Sequence, residues 1–96
     1  MSLGPLTEDR LLGGRVVMRQ PASGYRAATD PVLLAACVAA RPGMRVLDAG
    51  CGAGAAALCL AARIGGLEIH GLEIQPDYAA LARANGVATV LSLIHI

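Results

Sequence analysis

The chain has 96 residues, 55% of them hydrophobic, and a formal net charge of +1 at pH 7, which neither requires nor excludes a nucleic-acid partner. This length allows one domain at most, and because Phe and Trp are absent the core must be built from Ala, Leu, Val and Ile. No apolar run is long enough to span a bilayer, and no cysteine pair has the C-x-x-C spacing of a metal site. The acidic N-terminus lacks the basic region of a signal peptide, so we expect a cytoplasmic protein.

The first 26 residues predict an N-terminal extension that contains a β-hairpin. Residues 11–15, Leu-Leu-Gly-Gly-Arg, are typical of a turn, and the strand that follows, residues 15–20, ends at Pro21. Alternate positions of this strand share a face, with Arg15, Val17 and Arg19 on one side and Val16, Met18 and Gln20 on the other. The basic face either contacts RNA phosphates or simply faces solvent.

Two and a half β/α repeats are predicted after this extension. A helix over residues 31–40 precedes them, because Thr29-Asp30 can cap its N-terminus and Pro31 suits its first position. The repeats consist of strands at residues 44–49 and 67–74, helices at residues 55–63 and from Pro76 to Asn85-Gly86, and a third strand from Val87 onward. Each strand is a nearly continuous apolar run, which predicts an α/β fold with a parallel sheet buried on both faces.

The most informative run joins the first of these strands to its helix: Val46-Leu47-Asp48-Ala49-Gly50-Cys51-Gly52-Ala53-Gly54. Alternate glycines let the backbone adopt left-handed dihedral angles and approach a small ligand closely. The helix that follows directs its free N–H groups at a carboxylate or phosphate of that ligand. Two cofactor classes remain open here, because Gly50-x-Gly52-x-x-Ala55 also satisfies the dinucleotide fingerprint and Glu73 would bind a ribose diol in either class.

Asp48 and Gly54 distinguish these classes, because an acid two residues before a Gly-x-Gly-x-Gly run resembles motif I of the class I S-adenosylmethionine-dependent methyltransferases. The resemblance implies a Rossmann-like methyltransferase fold with strand order three-two-one and S-adenosylmethionine as the cofactor. It also implies that Asp48 orients the cofactor's amino group, Glu73 accepts both ribose hydroxyls and Ile74 packs on the adenine. The cofactor-binding residues implied in this way are Thr29, Asp30, Asp48, Gly50, Cys51, Gly52, Gly54, Glu73 and Ile74.

A narrower resemblance covers residues 7–90. The segment Gly24-Tyr25-Arg26-Ala27-Ala28-Thr29-Asp30-Pro31-Val32-Leu33-Leu34-Ala35 resembles the stretch before motif I in the small-domain (MTS) methyltransferases that modify bacterial tRNA1(Val) at adenine N6. Ala28 and Pro31 depart from that family, which often has Gly at both positions. The resemblance implies tRNA as the partner of the full-length protein. The alternatives are an NAD(P)- or nucleotide-binding Rossmann module without methyl transfer, or a methyltransferase for rRNA guanine or protein glutamine.

The catalytic half of such an enzyme is not predicted in this chain. The family holds its target amine with an Asn-Pro-Pro-Tyr type turn, and this sequence contains no Asn-Pro pair, so we assign no catalytic residue and expect the chain alone to be inactive. Residues 91–96 match a reading frame of the transposon mosaic end used in sequencing libraries, CTG TCT CTT ATA CAC ATC, although they also suit an apolar strand. We therefore expect an extension at residues 1–26, a partial cofactor-binding domain at 27–90 and a non-native tail at 91–96.

Overall fold

The computed structural model of the chain describes residues 3–23 and 29–91, and in these ranges it contains three α-helices and two β-sheets. The elements follow one another as β1 (Leu6–Leu11), a 3-10 turn (Leu12–Gly14), β2 (Val16–Pro21), α1 (Thr29–Cys37), β3 (Arg45–Ala49), α2 (Ala55–Arg63), β4 (Glu68–Glu73), α3 (Pro76–Ala84) and β5 (Ala88–Leu91). The predicted α/β class is confirmed. The predicted non-native tail lies outside the described residues apart from Leu91.

β1 and β2 form the predicted antiparallel hairpin, with Leu11 opposite Val16. Its second strand has the two faces expected from the alternation. Val16, Met18 and Gln20 are buried, whereas Arg15, Val17 and Arg19 are exposed. Arg15 does more than face solvent, because its guanidinium donates to the carbonyl of Ala62 in the last turn of α2. The hairpin is therefore attached to the β/α repeats by a side chain from its turn.

β3, β4 and β5 form a parallel sheet in the order β3-β4-β5, which is the predicted three-two-one arrangement. Val46 of β3 lies beside Ile69 of β4 in the register. Right-handed crossovers return successive helices to the same face of such a sheet. Accordingly, Ile69 packs against both clusters of buried side chains. The first cluster contains Val16, Ala35, Cys59 and Leu60, and the second contains Cys51, Ala57, Ala82 and Val87.

The opposite face of the sheet is open in the described ranges, so the prediction of strands buried on both faces is wrong. Residues of β3 alternate in exposure, and Leu47 is 63% exposed. On the same face Arg45 and Glu68 form an ion pair with an N···O distance of 2.8 Å. The physical reason is that both buried clusters lie on the Val46 side, and nothing in the described ranges covers Leu47.

Helix α1 begins at Thr29 and ends at Cys37, before the predicted end at residue 40. A contact from α2 accounts for this end. The Nε of Arg63 donates to the carbonyl of Ala35 at 3.1 Å, and its terminal nitrogen donates to the carbonyl of Val38. A helix leaves its last carbonyls without intrahelical partners, and a guanidinium presents several donors to them. The end of α1 therefore depends on a tertiary contact that the local sequence does not contain.

Replacing Arg63 with Met should remove these bonds while keeping the aliphatic part of the side chain. We expect the free energy of unfolding to fall by about 1 kcal/mol, which is the net contribution of a typical hydrogen bond. Denaturant titration followed by circular dichroism measures the change, with Arg41→Met, at an exposed arginine, as the matched control. An equal loss in both variants would contradict the role assigned to Arg63.

Candidate functional site

The glycine loop, residues 50–54, follows β3 and is held against the end of β4. Gly50, Gly52 and Gly54 have φ values of 71°, 56° and 98°, a region that residues with a Cβ rarely adopt. The N–H groups of Gly50 and Cys51 both donate to the carbonyl of Leu72, at 2.7 and 3.2 Å. The loop thus has the left-handed conformation predicted from its glycines, and its first residues are fixed to the neighbouring strand.

The glycines of this loop serve two different purposes. A Cβ on Gly50 or Gly52 would meet no protein atom within 4 Å, and both residues line a cavity. A Cβ on Gly54 would instead lie 2.6 Å from Cγ2 of Val87. Gly54 is therefore required for close packing of α2 near the start of β5, while Gly50 and Gly52 leave space that a ligand could fill.

The cavity has a volume of about 420 Å³. It lies where five parts of the chain meet: the end of β3, the glycine loop with the start of α2, the turn from β4 into α3, the end of β2, and α1. Sites for small ligands commonly have volumes of about 300–1,000 Å³. The cavity also lies at the carboxyl ends of the parallel strands, where α/β folds usually bind their ligands.

Glu73 joins two of these parts of the chain. It is 7% exposed, and its carboxylate oxygens accept the N–H groups of Gly52 at 2.9 Å and Gln75 at 2.8 Å. A buried carboxylate is tolerated only where such donors replace water. Because a carboxylate has about four acceptor positions, these two bonds leave it capacity for further donors.

Asp48, near the end of β3, is the second acid in the cavity wall. Burial raises the pKa of its carboxyl above the ordinary value of 3.8, and a hydrogen bond from the backbone of Ala57 offsets part of this rise. Ala57 lies in the first turn of α2, where the N-cap residue Gly54 offers no capping side chain. Oδ2 of Asp48 is buried and accepts no hydrogen bond from the described residues. A buried oxygen of this kind costs free energy until a donor reaches it.

The cavity brings together five of the nine residues predicted to bind the cofactor: Asp48, Gly50, Cys51, Gly52 and Glu73. Asp30, Gly54 and Ile74 do not line it in the described ranges. Ile74 is 57% exposed, Asp30 is exposed, Thr29 begins α1, and Gly54 faces Val87. Residues 24–28, which belong to the segment before motif I, lie outside the described residues.

Outside the glycine loop and its flanking elements, the cavity has six lining residues that sequence reasoning did not assign to it: Gln20, Pro21, Pro31, Leu34, Gln75 and Tyr78. Gln20 could have been singled out from the sequence, because it is a polar residue on the otherwise apolar face of its strand. The structure buries it, with 3% of its surface exposed. Tyr78 lies in the predicted helix that begins at Pro76, but the sequence alone offered no reason to place it in a cavity wall. The other positions carry no local signal, since they depend on how the hairpin and α1 dock.

No helix in residues 3–23 and 29–91 is long and apolar enough to cross a bilayer. Among the same residues, no three His, Cys, Asp or Glu side chains lie close enough together to hold a metal ion. His70, whose Nε2 lies 3.7 Å from Oε1 of Glu68, belongs to the open face of the sheet and not to the cavity wall described above.

A parallel β-α-β unit with a glycine loop after its first strand and an acid at the end of its second is the arrangement of Rossmann-like cofactor-binding proteins. No family model matches the chain. Similarity to curated proteins indicates a narrower class than the fold does. The chain is 43% identical over 61 residues to proteins named tRNA1(Val) (adenine(37)-N6)-methyltransferase from Yersinia pestis (strain Pestoides F) and Yersinia pseudotuberculosis serotype O:1b (strain IP 31758).

These matches cover 62% of this chain and 25% of each relative, so the chain spans about a quarter of the length of the curated relatives it matches. A relative from Yersinia pseudotuberculosis serotype O:3 (strain YPIII) is equally similar. These relatives confirm the resemblance of the sequence to the tRNA1(Val) adenine-N6 methyltransferases.

Because Gly52 and Gly54 have different surroundings, their replacement should lower the free energy of unfolding by different amounts. We expect Gly54→Ala to lower the free energy of unfolding by about 3 kcal/mol, because a left-handed φ costs about 1–2 kcal/mol and the contact with Val87 adds the cost of overpacking. Gly52→Ala should cost only about 1 kcal/mol, from its φ alone. Urea titration of both variants measures the difference, and equal losses would show that Gly54 has no special packing role.

Asp48 should reduce the stability of the folded chain at neutral pH. The folded carboxyl has a raised pKa, so its unfavourable contribution is present above the folded pKa and disappears below the unfolded value of about 3.8. We therefore expect Asp48→Asn to raise the melting temperature at pH 7 and to leave it nearly unchanged at pH 3. Thermal melts at the two pH values test this, with Glu8→Gln, at an exposed acid, as the control. A lower melting temperature of Asp48→Asn at pH 7 would contradict it.

Proposed function

We propose that the chain is the cofactor-binding N-terminal part of an S-adenosylmethionine-dependent methyltransferase that acts on adenine N6 of tRNA. The observation that carries the proposal is the common cavity of Asp48, the glycine loop and Glu73, joined to the similarity with relatives named for that reaction. In this proposal residues 27–90 form a partial cofactor-binding domain, residues 1–26 form its hairpin extension, and the protein works in the cytoplasm, where tRNA is modified.

The charges of the cavity favour this cofactor over a dinucleotide. The first N–H groups of α2 attract a carboxylate, because the positive end of the helix dipole lies there. The carboxylate of Asp48, in the cavity wall, attracts an ammonium or sulfonium cation. The methionine end of S-adenosylmethionine carries all three groups. The pyrophosphate of NAD would instead bring negative charge close to the Asp48 carboxylate.

Glu73 suits the ribose of the same cofactor. Its two backbone bonds, from Gly52 and Gln75, hold the carboxylate in one orientation at the cavity wall. The acceptor capacity that remains can take the two hydroxyls of a ribose. Tyr78 and Gln75 lie next along the same wall, on the side of α3. The cavity therefore offers anion and cation contacts at the glycine loop and diol contacts at the end of β4.

S-adenosylmethionine, when bound, supplies a methyl group that is already activated on its sulfonium. The residues of this chain bind and orient that cofactor, and such positioning provides much of the rate of a transfer reaction. Because the sequence contains no Asn-Pro pair, the proposal assigns cofactor binding to this chain and assigns no catalytic residue to it. The tRNA substrate comes from the relatives' names, which favour it over rRNA guanine or protein glutamine.

Isothermal titration of the 96-residue chain with S-adenosylmethionine tests the proposal. We expect binding, and we expect Asp48→Asn to weaken it by about tenfold, since a charge-assisted bond worth about 1.5–3 kcal/mol is lost. The same variant is expected to be more stable at pH 7, so weaker binding cannot be attributed to unfolding. Stability and affinity would thus change in opposite directions.

Two controls sharpen this experiment. Glu8→Gln removes an exposed acid of the hairpin and should leave the affinity unchanged. Titration with NAD tests the alternative cofactor class at the same concentrations. Tighter binding of NAD than of S-adenosylmethionine, or no binding of S-adenosylmethionine by the folded chain, would overturn the proposed function.

A further inference from the structure

Asn85 connects the hairpin to the glycine loop. It follows the last residue of α3, and it is not part of the cavity wall. Its Oδ1 accepts the N–H of Arg19 at 2.8 Å, and its Nδ2 donates to the carbonyl of Arg19 at 2.8 Å. The same Nδ2 donates to the carbonyl of Ala53 at 2.9 Å. One carboxamide thus pairs with β2 as a neighbouring strand would and also holds the loop.

Both partners of Asn85 adjoin the cavity. Ala53 lines it directly, and Arg19 is followed in β2 by Gln20 and Pro21, which line it too. Gln20 is buried, and its Nε2 donates to Oδ2 of Asp9 at 2.9 Å, so this end of the hairpin has a defined side-chain arrangement. Besides the contacts of Arg15 and Val16 with the repeats, Asn85 therefore bonds the hairpin wall directly to the loop wall of the cavity.

We propose that Asn85 is a positioning residue that couples docking of the hairpin to ligand binding at the glycine loop. The identity of the ligand rests on the proposed function, whereas the coupling rests on the three hydrogen bonds alone. A carboxamide is required because it accepts and donates at once. An aspartate has nearly the same shape, but it can donate to neither carbonyl and would place its charge against both.

Coupling of this kind is reciprocal. If a docked hairpin holds the loop in its binding conformation, a ligand bound to the loop must favour the docked hairpin by the same factor. The amide of Arg19 reports docking directly, because its N–H is bonded to Asn85. The amide of Gly54 reports the loop, because it donates to the carbonyl of Cys51 at 3.0 Å and makes no bond to Asn85.

Hydrogen exchange of the ligand-free chain tests the coupling first. We expect Asn85→Asp and Asn85→Ala to speed exchange on the order of tenfold at the amides of both Arg19 and Gly54, as loss of about one net hydrogen bond implies. The amide of Ile64, which is bonded to the carbonyl of Leu60, should change less than about twofold on the same scale, because it lies at the far end of α2. Ala80→Asp, which puts the same charge on an exposed position of α3, is the matched control.

An unchanged exchange rate of the Gly54 amide in both Asn85 variants would overturn the proposal, since Asn85 would then affect the hairpin but not the loop. Equal acceleration at Ile64 would also overturn it, because that result indicates general destabilisation. These outcomes do not depend on the identity of the ligand, so they stand even if the chain fails to bind S-adenosylmethionine and the proposed function fails.

Exchange with saturating S-adenosylmethionine provides the second arm. We expect the cofactor to slow exchange of the Arg19 amide on the order of tenfold in the wild-type chain and to have little effect on it in Asn85→Asp. A merely structural role for Asn85 would lower stability without changing this response. Binding of the cofactor with no change at Arg19 in the wild-type chain would overturn the coupling and leave the proposed function intact.

Discussion

The carboxylate of Glu73 is the interaction on which the rest of the cavity depends. It lies at the end of β4, and its two oxygens bond to Gly52 on one side and Gln75 on the other. These residues belong to separate β-to-α connections, so a single buried charge fixes the glycine loop relative to the start of α3. The carbonyl of Leu72, one residue earlier, accepts two more N–H groups from the loop. The end of β4 thus organises the backbone around the cavity.

Asp48, in the same cavity, has fewer hydrogen bonds to offset the burial of its carboxylate. Its carboxyl takes a hydrogen bond from the backbone of Ala57 at the start of α2, yet its Oδ2 is buried and accepts none from the described residues. Burial of this charge opposes folding, whereas the bonds around Glu73 offset the cost of burying that carboxylate. Residues that reduce stability in this way are typical of functional sites, where stability is sacrificed for activity.

The parts of the fold that local sequence determines were predicted well. The bounds of α2 agree with the structure because Gly54 precedes it and Gly65-Gly66 follows it, and α3 begins at Pro76 and ends before Asn85-Gly86 as expected. Glu73 and the first two loop glycines, which were predicted from a pattern within one β-α-β unit, line one cavity, and their role in binding stays a prediction. The errors concern contacts made at a distance. Exposure of Leu47 depends on what covers the sheet, and the end of α1 depends on Arg63.

The contribution of the hairpin to the cavity could not be predicted for the same reason, because the bond from Asn85 to Arg19 joins residues 66 positions apart. This separation has a consequence for the order of folding during synthesis. The hairpin and each β/α repeat can form as soon as their own residues leave the ribosome, because their contacts are local. The hairpin can contact α2 earlier, through Arg15 and Ala62, but its bonds to Asn85 must wait until α3 has emerged. The bonds that join the hairpin wall to the loop wall therefore form only after the residues of both walls have been synthesised.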